Sequence, residues 1–327
     1  MIRVTRGGRR RLIVVAFGGN ALVRQGEDGT QQQQMRHAGQ LARSLVKILA
    51  KGHDLVLVHG NGPQVGNLLV QVEEAVTKVP PVSLDVCVAQ TEGSIGYMLE
   101  CALRNEMLVL GIDRELACLV TPVAVDPRDP ALRNPTKPVG PFYTPYRAAY
   151  LRQKRRWRIE EDSGRGYRKV VPSPRPLRIL NMSVLRGLLE QRCVVIAGGG
   201  GGVPVIEEPS GKLRGIEAVV DKDFTAALMG RDLHADLLLV LTDVDNVCLN
   251  YGKHNQQALT RLSLKESERY LRRGQFPPGS MGPKIEAAVE FVRSTGHDVI
   301  ITSLRRCVSA LSGRGGTRIT ARPEAGR

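Results

Sequence analysis

Short, wholly apolar runs alternate along this chain with stretches whose apolar residues recur every three or four positions. Leu12–Phe17 is apolar throughout and stops at Gly18-Gly19-Asn20, which predicts a strand buried on both faces and closed by a turn. Leu41, Leu45, Ile48 and Leu49 then fall on one face of a helix. Leu55–Val58 reads as the next strand, ending in His59-Gly60-Asn61-Gly62-Pro63. Further strands are expected at Cys118–Val125, Cys193–Ala197, Leu237–Leu241 and Val299–Thr302. Asp221-Lys222-Asp223 precedes a helix start at Phe224–Met229, and Ile285, Ala288, Val289 and Val292 share the apolar face of a helix beginning near Pro283. Strands without polar alternation, separated by helices, predict an α/β fold around a largely parallel sheet covered on both faces.

One stretch breaks the rhythm. From Asp126 to about Pro176 the chain is rich in proline and charge and shows little periodicity. Such a segment inside a wound sheet predicts an inserted subdomain or lid, at about residues 126–172.

Composition narrows the picture only slightly. The 327 residues are 42% apolar and 24% charged, which excludes global disorder, collagen and a disulfide-stapled miniprotein. No apolar run approaches the roughly 20 residues of a membrane span. The net charge of +15 is confined to three segments, residues 1–11, 152–158 and 305–327, each carrying +5. A nucleic-acid groove spreads its cations along a face among stacking aromatics, whereas only Trp157 and Tyr150 stand near one of these clusters. Nucleic acid is therefore not the expected partner. The six cysteines at 87, 101, 118, 193, 248 and 307 form no zinc or redox spacing and read as small buried hydrophobes. The arginine-rich start lacks the apolar core of a signal peptide. Cytoplasm is the expected compartment.

In open α/β sheets ligands bind beyond the carboxyl ends of the strands. Three expected strands end there in glycine: Gly18-Gly19-Asn20, Gly60-Asn61-Gly62 and Gly198–Gly202. One glycine pair is merely a turn. Three at equivalent positions make a cradle for a polyanion, because glycine lets backbone N–H groups approach closely. Standard phosphate motifs nevertheless fail. Gly211-Lys212 and Gly252-Lys253 are not followed by Ser or Thr, and no GxGxxG spacing survives Val65 or Val203. Lys284 falls in the first turn of a helix, where a cation opposes the dipole and needs an external reason such as a bound phosphate. Asp243 and Asp245 fit a metal ligand, a ribose contact or an ordinary cap.

Several strings are recognisable together. Phe17-Gly18-Gly19-Asn20-Ala21, His59–Asn67, Gln90-Thr91-Glu92-Gly93-Ser94-Ile95-Gly96-Tyr97 and Asn134-Pro135-Thr136-Lys137-Pro138 resemble the carbamate kinase branch of the amino-acid kinase superfamily. So do Val170-Val171-Pro172-Ser173-Pro174, Glu217–Asp223, Leu241-Thr242-Asp243-Val244-Asp245 and Gly279–Lys284, in order from about residue 12 to 312. The resemblance implies a three-layer αβα sandwich with a small protruding lid, a homodimer, and the reaction ATP + carbamate ⇌ ADP + carbamoyl phosphate with Mg²⁺ on the nucleotide. It implies one kinase domain over 12–312, between a basic extension at 1–11 and a basic tail at 313–327. Lys222 and Lys284 match lysines on the transferring phosphoryl group, Asp223 a carboxylate that orients them, and Lys137 a lysine reaching in from the subdomain. Gly18, Gly19, Asn20, Gly60, Asn61 and Gly62 match the carbamate and phosphate cradle. Asp221, Thr242, Asp243, Val244, Asp245, Tyr251, Met281 and Gly282 fall on the nucleotide side.

His254 follows Lys253 where the family often has proline, and the arginine-rich ends are additions the family does not explain. The chemistry agrees with the resemblance. Carbamate is already an anion, so its attack on phosphorus needs no general base, and His59 reads as structural. Positioning and charge neutralisation are the requirements. Asn20 stands where related kinases place a lysine, which leaves Lys137 to supply the missing charge when a lid closes. Two alternatives stay open: a uridylate or N-acetylglutamate kinase-like enzyme, and a regulatory protein on a retired kinase scaffold.

Overall fold

Ile13, Val14, Val15 and Ala16 are completely buried, and they divide alternately between two apolar cores. Successive strand residues point to opposite sides, so the alternation marks a sheet covered on both faces. The structure, a computed structural model, describes residues 9–24, 26–162, 166–277 and 279–321, with the side chain of Asn20 outside that description. The central sheet runs in the spatial order Arg261–Ser263, Thr317–Thr320, Asp298–Ser303, Leu237–Thr242, Leu12–Phe17, Asp54–His59, Val194–Ile196, Leu116–Cys118. Neighbours are parallel except Thr317–Thr320 against Asp298–Ser303.

Nine α-helices are present among the described residues: α1 (Gln31–Leu49), α2 (Gly62–Ala75), α3 (Leu84–Leu110), α4 (Pro145–Arg155), α5 (Met182–Glu190), α6 (Lys222–Asp232), α7 (Leu264–Arg272), α8 (Met281–Thr295) and α9 (Cys307–Leu311). Helices α1, α3 and α9 cover the face of Ile13, Val15 and Phe17, while α5, α6 and α8 cover that of Val14 and Ala16. Three layers result, αβα as expected. No described helix is long and apolar enough to cross a membrane.

Two expectations need correction. Cys118–Val125 is two strands in different sheets: Leu116–Cys118 edges the central sheet, and Pro122–Val125 joins a four-stranded one. Pro122 has no N–H to continue a ladder, and the chain turns across Thr121. The expected tail from 313 is likewise not a tail as far as residue 320, since Thr317–Thr320 is a strand of the central sheet with Thr317 and Ile319 fully buried. Its β-branched residues belong in a sheet, a preference hidden by the surrounding arginines. At the other end, Arg10 pairs with Asp54 and the Arg11 N–H bonds His53 Nδ1 at 3.3 Å. The expected extension is thus tied to the sheet at residues 10 and 11; residues 1–8 lie outside the described residues.

Between 126 and 172 the chain builds an antiparallel sheet of Lys137–Tyr143, Tyr167–Val171 and Ile159–Glu161 with α4 beside it. Ala148, Leu151 and Ile159 form its own small core under Tyr143, Trp157 and Tyr167. The basic cluster at 152–158 begins in the last turn of α4, where cations suit the dipole. Arg152 there donates to the Ile159 carbonyl at 2.6 Å. Gly140, at φ +81°, meets Gly66 of α2; a Cβ on Gly66 would lie 2.2 Å from the Gly140 Cα. Only glycine permits that contact.

Candidate active site

The three glycine loops leave the carboxyl ends of Leu12–Phe17, Asp54–His59 and Val194–Ile196, neighbours in the central sheet. They converge because their glycines leave no room for a side chain between them. A Cβ on Gly60 would stand 2.7 Å from Gly19 N and 3.1 Å from Lys222 Cδ, and one on Gly200 would stand 2.2 Å from Asn61 Nδ2. Asn61 precedes α2 without capping it, because its side chain donates to Thr91 Oγ1 at 2.8 Å. The first-turn N–H groups of α2 therefore stay available to an anion.

A cavity of about 370 Å³ opens over these loops. Gly18, Gly19, Gly60, Asn61 and Gly62 line it, together with Lys137, Asp221, Lys222, Lys284, Thr242 and Asp243. The Asn20 backbone continues the first loop, while its side chain lies outside the described residues. Val244, Asp245, Tyr251, Met281 and Gly282 are not among the residues lining this cavity. Asp245 is held by Ser303 and Arg306.

The charged groups form one cluster. Lys222 Nζ and Lys284 Nζ each lie 3.2 Å from Asp223 Oδ2. Lys137 reaches across from the inserted sheet to Asp221 Oδ2, and Asp221 Oδ1 caps α6 by accepting the Asp223 N–H at 3.0 Å. Asp223 thus gives Lys284, against the dipole in the first residues of α8, a counter-charge within the fold. Burial pushes Asp221 up, but Lys137 and Lys222 outweigh it and hold the carboxyl well below the usual range. Burial likewise pushes Lys222 down, yet Asp223 and Asp221 keep its ammonium above its ordinary value. Lys284 goes the other way: burial, then the neighbouring Lys222, lowers its pKa. Asp223 Oδ1 is buried without a partner.

His59 behaves as a structural residue. It is 1% exposed, its Nδ1–H donates to the Gly60 carbonyl at 3.1 Å, and burial lowers its pKa to about 4. Three contributors were not legible as such in the sequence. Arg24 lines the cavity, an isolated cation with no pattern to reveal it. Thr91 and Glu92 buttress the loops from α3; their string was visible in the sequence, but its role was not.

Glycine loops at strand ends, lysines converging on buried carboxylates and a roofing subdomain define a phosphotransferase of the α/β class. A profile of the amino acid kinase family matches residues 11–303. The chain is 43% identical over 310 residues to the carbamate kinase of Pyrococcus horikoshii, covering 94% of this chain and 98% of that one. It is 43% identical over 311 residues to the carbamate kinase of Staphylococcus epidermidis, covering 94% and 99%. The structure of carbamate kinase from Giardia lamblia bound to AMP-PNP superimposes with a TM-score of 0.88 at 41% identity, over 95% of this chain and 99% of that one. The chain belongs to the carbamate kinase family within the amino acid kinase family.

Proposed function

We propose that the protein interconverts ATP and carbamate with ADP and carbamoyl phosphate, and that in the cell it makes ATP from carbamoyl phosphate in arginine catabolism. The observation that carries the reading is the convergence of Lys137, Lys222 and Lys284 on two buried aspartates above three glycine loops. In the ATP-consuming direction a carbamate oxygen forms the bond to the γ-phosphorus. The bond from phosphorus to the β–γ bridging oxygen breaks, and ADP leaves with that electron pair. No proton need move, so the site requires no base. Lys222 and Lys284 neutralise charge on the moving phosphoryl group, Asp223 orients both, and the N–H groups of the glycine loops hold the equatorial oxygens. Lys137 completes the cradle from a lid at 126–172, whose closure excludes water from labile carbamoyl phosphate.

Asp221, Thr242, Asp243, Val244, Asp245, Tyr251, Met281 and Gly282 form the nucleotide side in this reading. Among the described residues no group of three His, Cys, Asp or Glu side chains is placed to hold a metal. Mg²⁺ carried by the nucleotide phosphates would supply charge neutralisation there. Asp243, which lines the cavity, is an acceptor suited to face such an ion.

A homodimer is part of the proposal. Val86, Tyr97, Leu108 and Val109 of α3 are exposed, apolar positions available to a second copy. Cytoplasm is the proposed compartment. Purified protein given ADP, Mg²⁺ and carbamoyl phosphate should form ATP. Absence of ATP, with turnover of uridine monophosphate or N-acetylglutamate instead, would overturn the reading.

A further inference from the structure

Glu92 lies 1% exposed in the middle of α3, outside the catalytic cavity. Its Oε2 accepts the Thr121 N–H at 2.7 Å, and its Oε1 is buried without a partner. Thr121 in turn holds both ends of the third glycine loop. Its Oγ1 accepts the Gly198 N–H at 2.8 Å, and its carbonyl accepts the Val203 N–H at 2.9 Å. The loop also rests on Glu92 itself, since a Cβ on Gly199 would stand 3.0 Å from Glu92 Cγ and 2.3 Å from His59 Nε2. Thr91, the preceding residue, holds Asn61 of the second loop. One turn of one helix therefore braces two of the three cradle loops.

The titratable groups beside Glu92 are His59 at the end of its strand and Cys118 in the edge strand; the glycine loop brings none. His59 is neutral, because burial lowers its pKa to about 4. Cys118 Sγ donates to the Glu92 carbonyl at 3.8 Å, and burial holds its thiol protonated, up to about 11. Neither is a cation. A carboxylate here would be a buried charge with one oxygen unsatisfied, a state proteins avoid. We propose that Glu92 is a positioning residue, working as the neutral acid, that fixes Thr121 and through it the glycine loop 198–202 of the phosphate cradle. Burial pushes its carboxyl well above the ordinary range, only partly offset by the Thr121 N–H, in keeping with that form.

The test uses the full chain carrying Glu92→Gln or Glu92→Leu, with Tm measured from pH 5 to 9 and kcat/KM for carbamoyl phosphate alongside. A proton held in the fold but released on unfolding makes stability fall as pH rises from the ordinary carboxylate range to the raised one. Wild-type Tm should therefore drop relative to Glu92→Gln across that interval. Glu92→Gln keeps the acceptor for Thr121 and should keep the rate. Glu92→Leu leaves the Thr121 N–H unsatisfied and should lose about 10²-fold in kcat/KM, the scale of a 1 Å misplacement. A Tm gap that does not vary with pH, or equal damage in both variants, would overturn the neutral acid. A wild-type rate in Glu92→Leu would overturn the positioning role. Only the rate arm rests on the proposed reaction; the Tm arm stands without it.

Discussion

Asp223→Asn isolates what the shared carboxylate does. It keeps the shape and an acceptor but removes the charge that Lys222 and Lys284 both approach at 3.2 Å. At that separation and an effective dielectric of about 20, each pairing is worth roughly 5 kcal/mol of direct attraction before desolvation. The net cost of stripping one partner from a buried ion pair is about 3–5 kcal/mol, and here two ammonium groups are left facing each other. One must give up its proton first. Lys284 is that one, because burial and Lys222 already lower its pKa while Lys222 is held high. An opposite charge this close moves a pKa by about 1–3 pH units, so its removal should bring Lys284 down by a similar amount. The charge of a lysine is present below its pKa and lost as pH rises through it. ATP formation from ADP and carbamoyl phosphate, followed against pH, should therefore show the alkaline fall in kcat moving about 1–3 pH units toward neutrality in the variant. An alkaline limb that stays where it is in wild type, with kcat merely scaled, would show that Asp223 does not govern the lysine and would refute the reasoning.

Lys137→Ala should lower kcat/KM for carbamoyl phosphate and leave ADP binding, read by calorimetry, nearly unchanged; equal effects on both ligands would remove the lysine from the acyl-phosphate side. Gly66→Ala places a methyl 2.2 Å from the Gly140 Cα and should push the inserted sheet off α2, lowering both Tm and kcat/KM. Deleting residues 1–9 retains Arg10 against Asp54 and should leave kcat intact; a collapse in rate would place the arm in the site.

The sequence revealed most clearly what depends on local pattern. Leu12–Phe17 is a strand over the span its unbroken apolar run predicted, and Lys222 opens α6 as the charged triplet before Phe224 suggested. Contacts that depend on backbone approach were not legible. Gly66 and Gly140 are 74 residues apart, and nothing in either neighbourhood announces that they meet. The split at Thr121 was hidden because Leu119 and Val120 keep the run apolar through the turn. At the site, the three lysines could be singled out and Asp223 stood out by resemblance as the carboxylate that orients two of them, but the pairing of Lys137 with Asp221 required the geometry. Asp221 stood out only as a nucleotide-side residue by resemblance; in the fold it caps α6 and receives Lys137.

That pairing has a consequence for turnover. Three lysines against two aspartates leave the cluster with a single surplus positive charge. A bare triple cation would hold any phosphate, and inorganic phosphate in the cell would occupy it. With two internal counter-ions, full attraction is released only when an incoming anion draws the lysines off their carboxylates. Those carboxylates are waiting to take them back once the phosphoryl group has moved. In the proposed reaction the residues that hold the lysines at rest would thereby assist product departure, and a weakly charged competitor would gain too little to displace them.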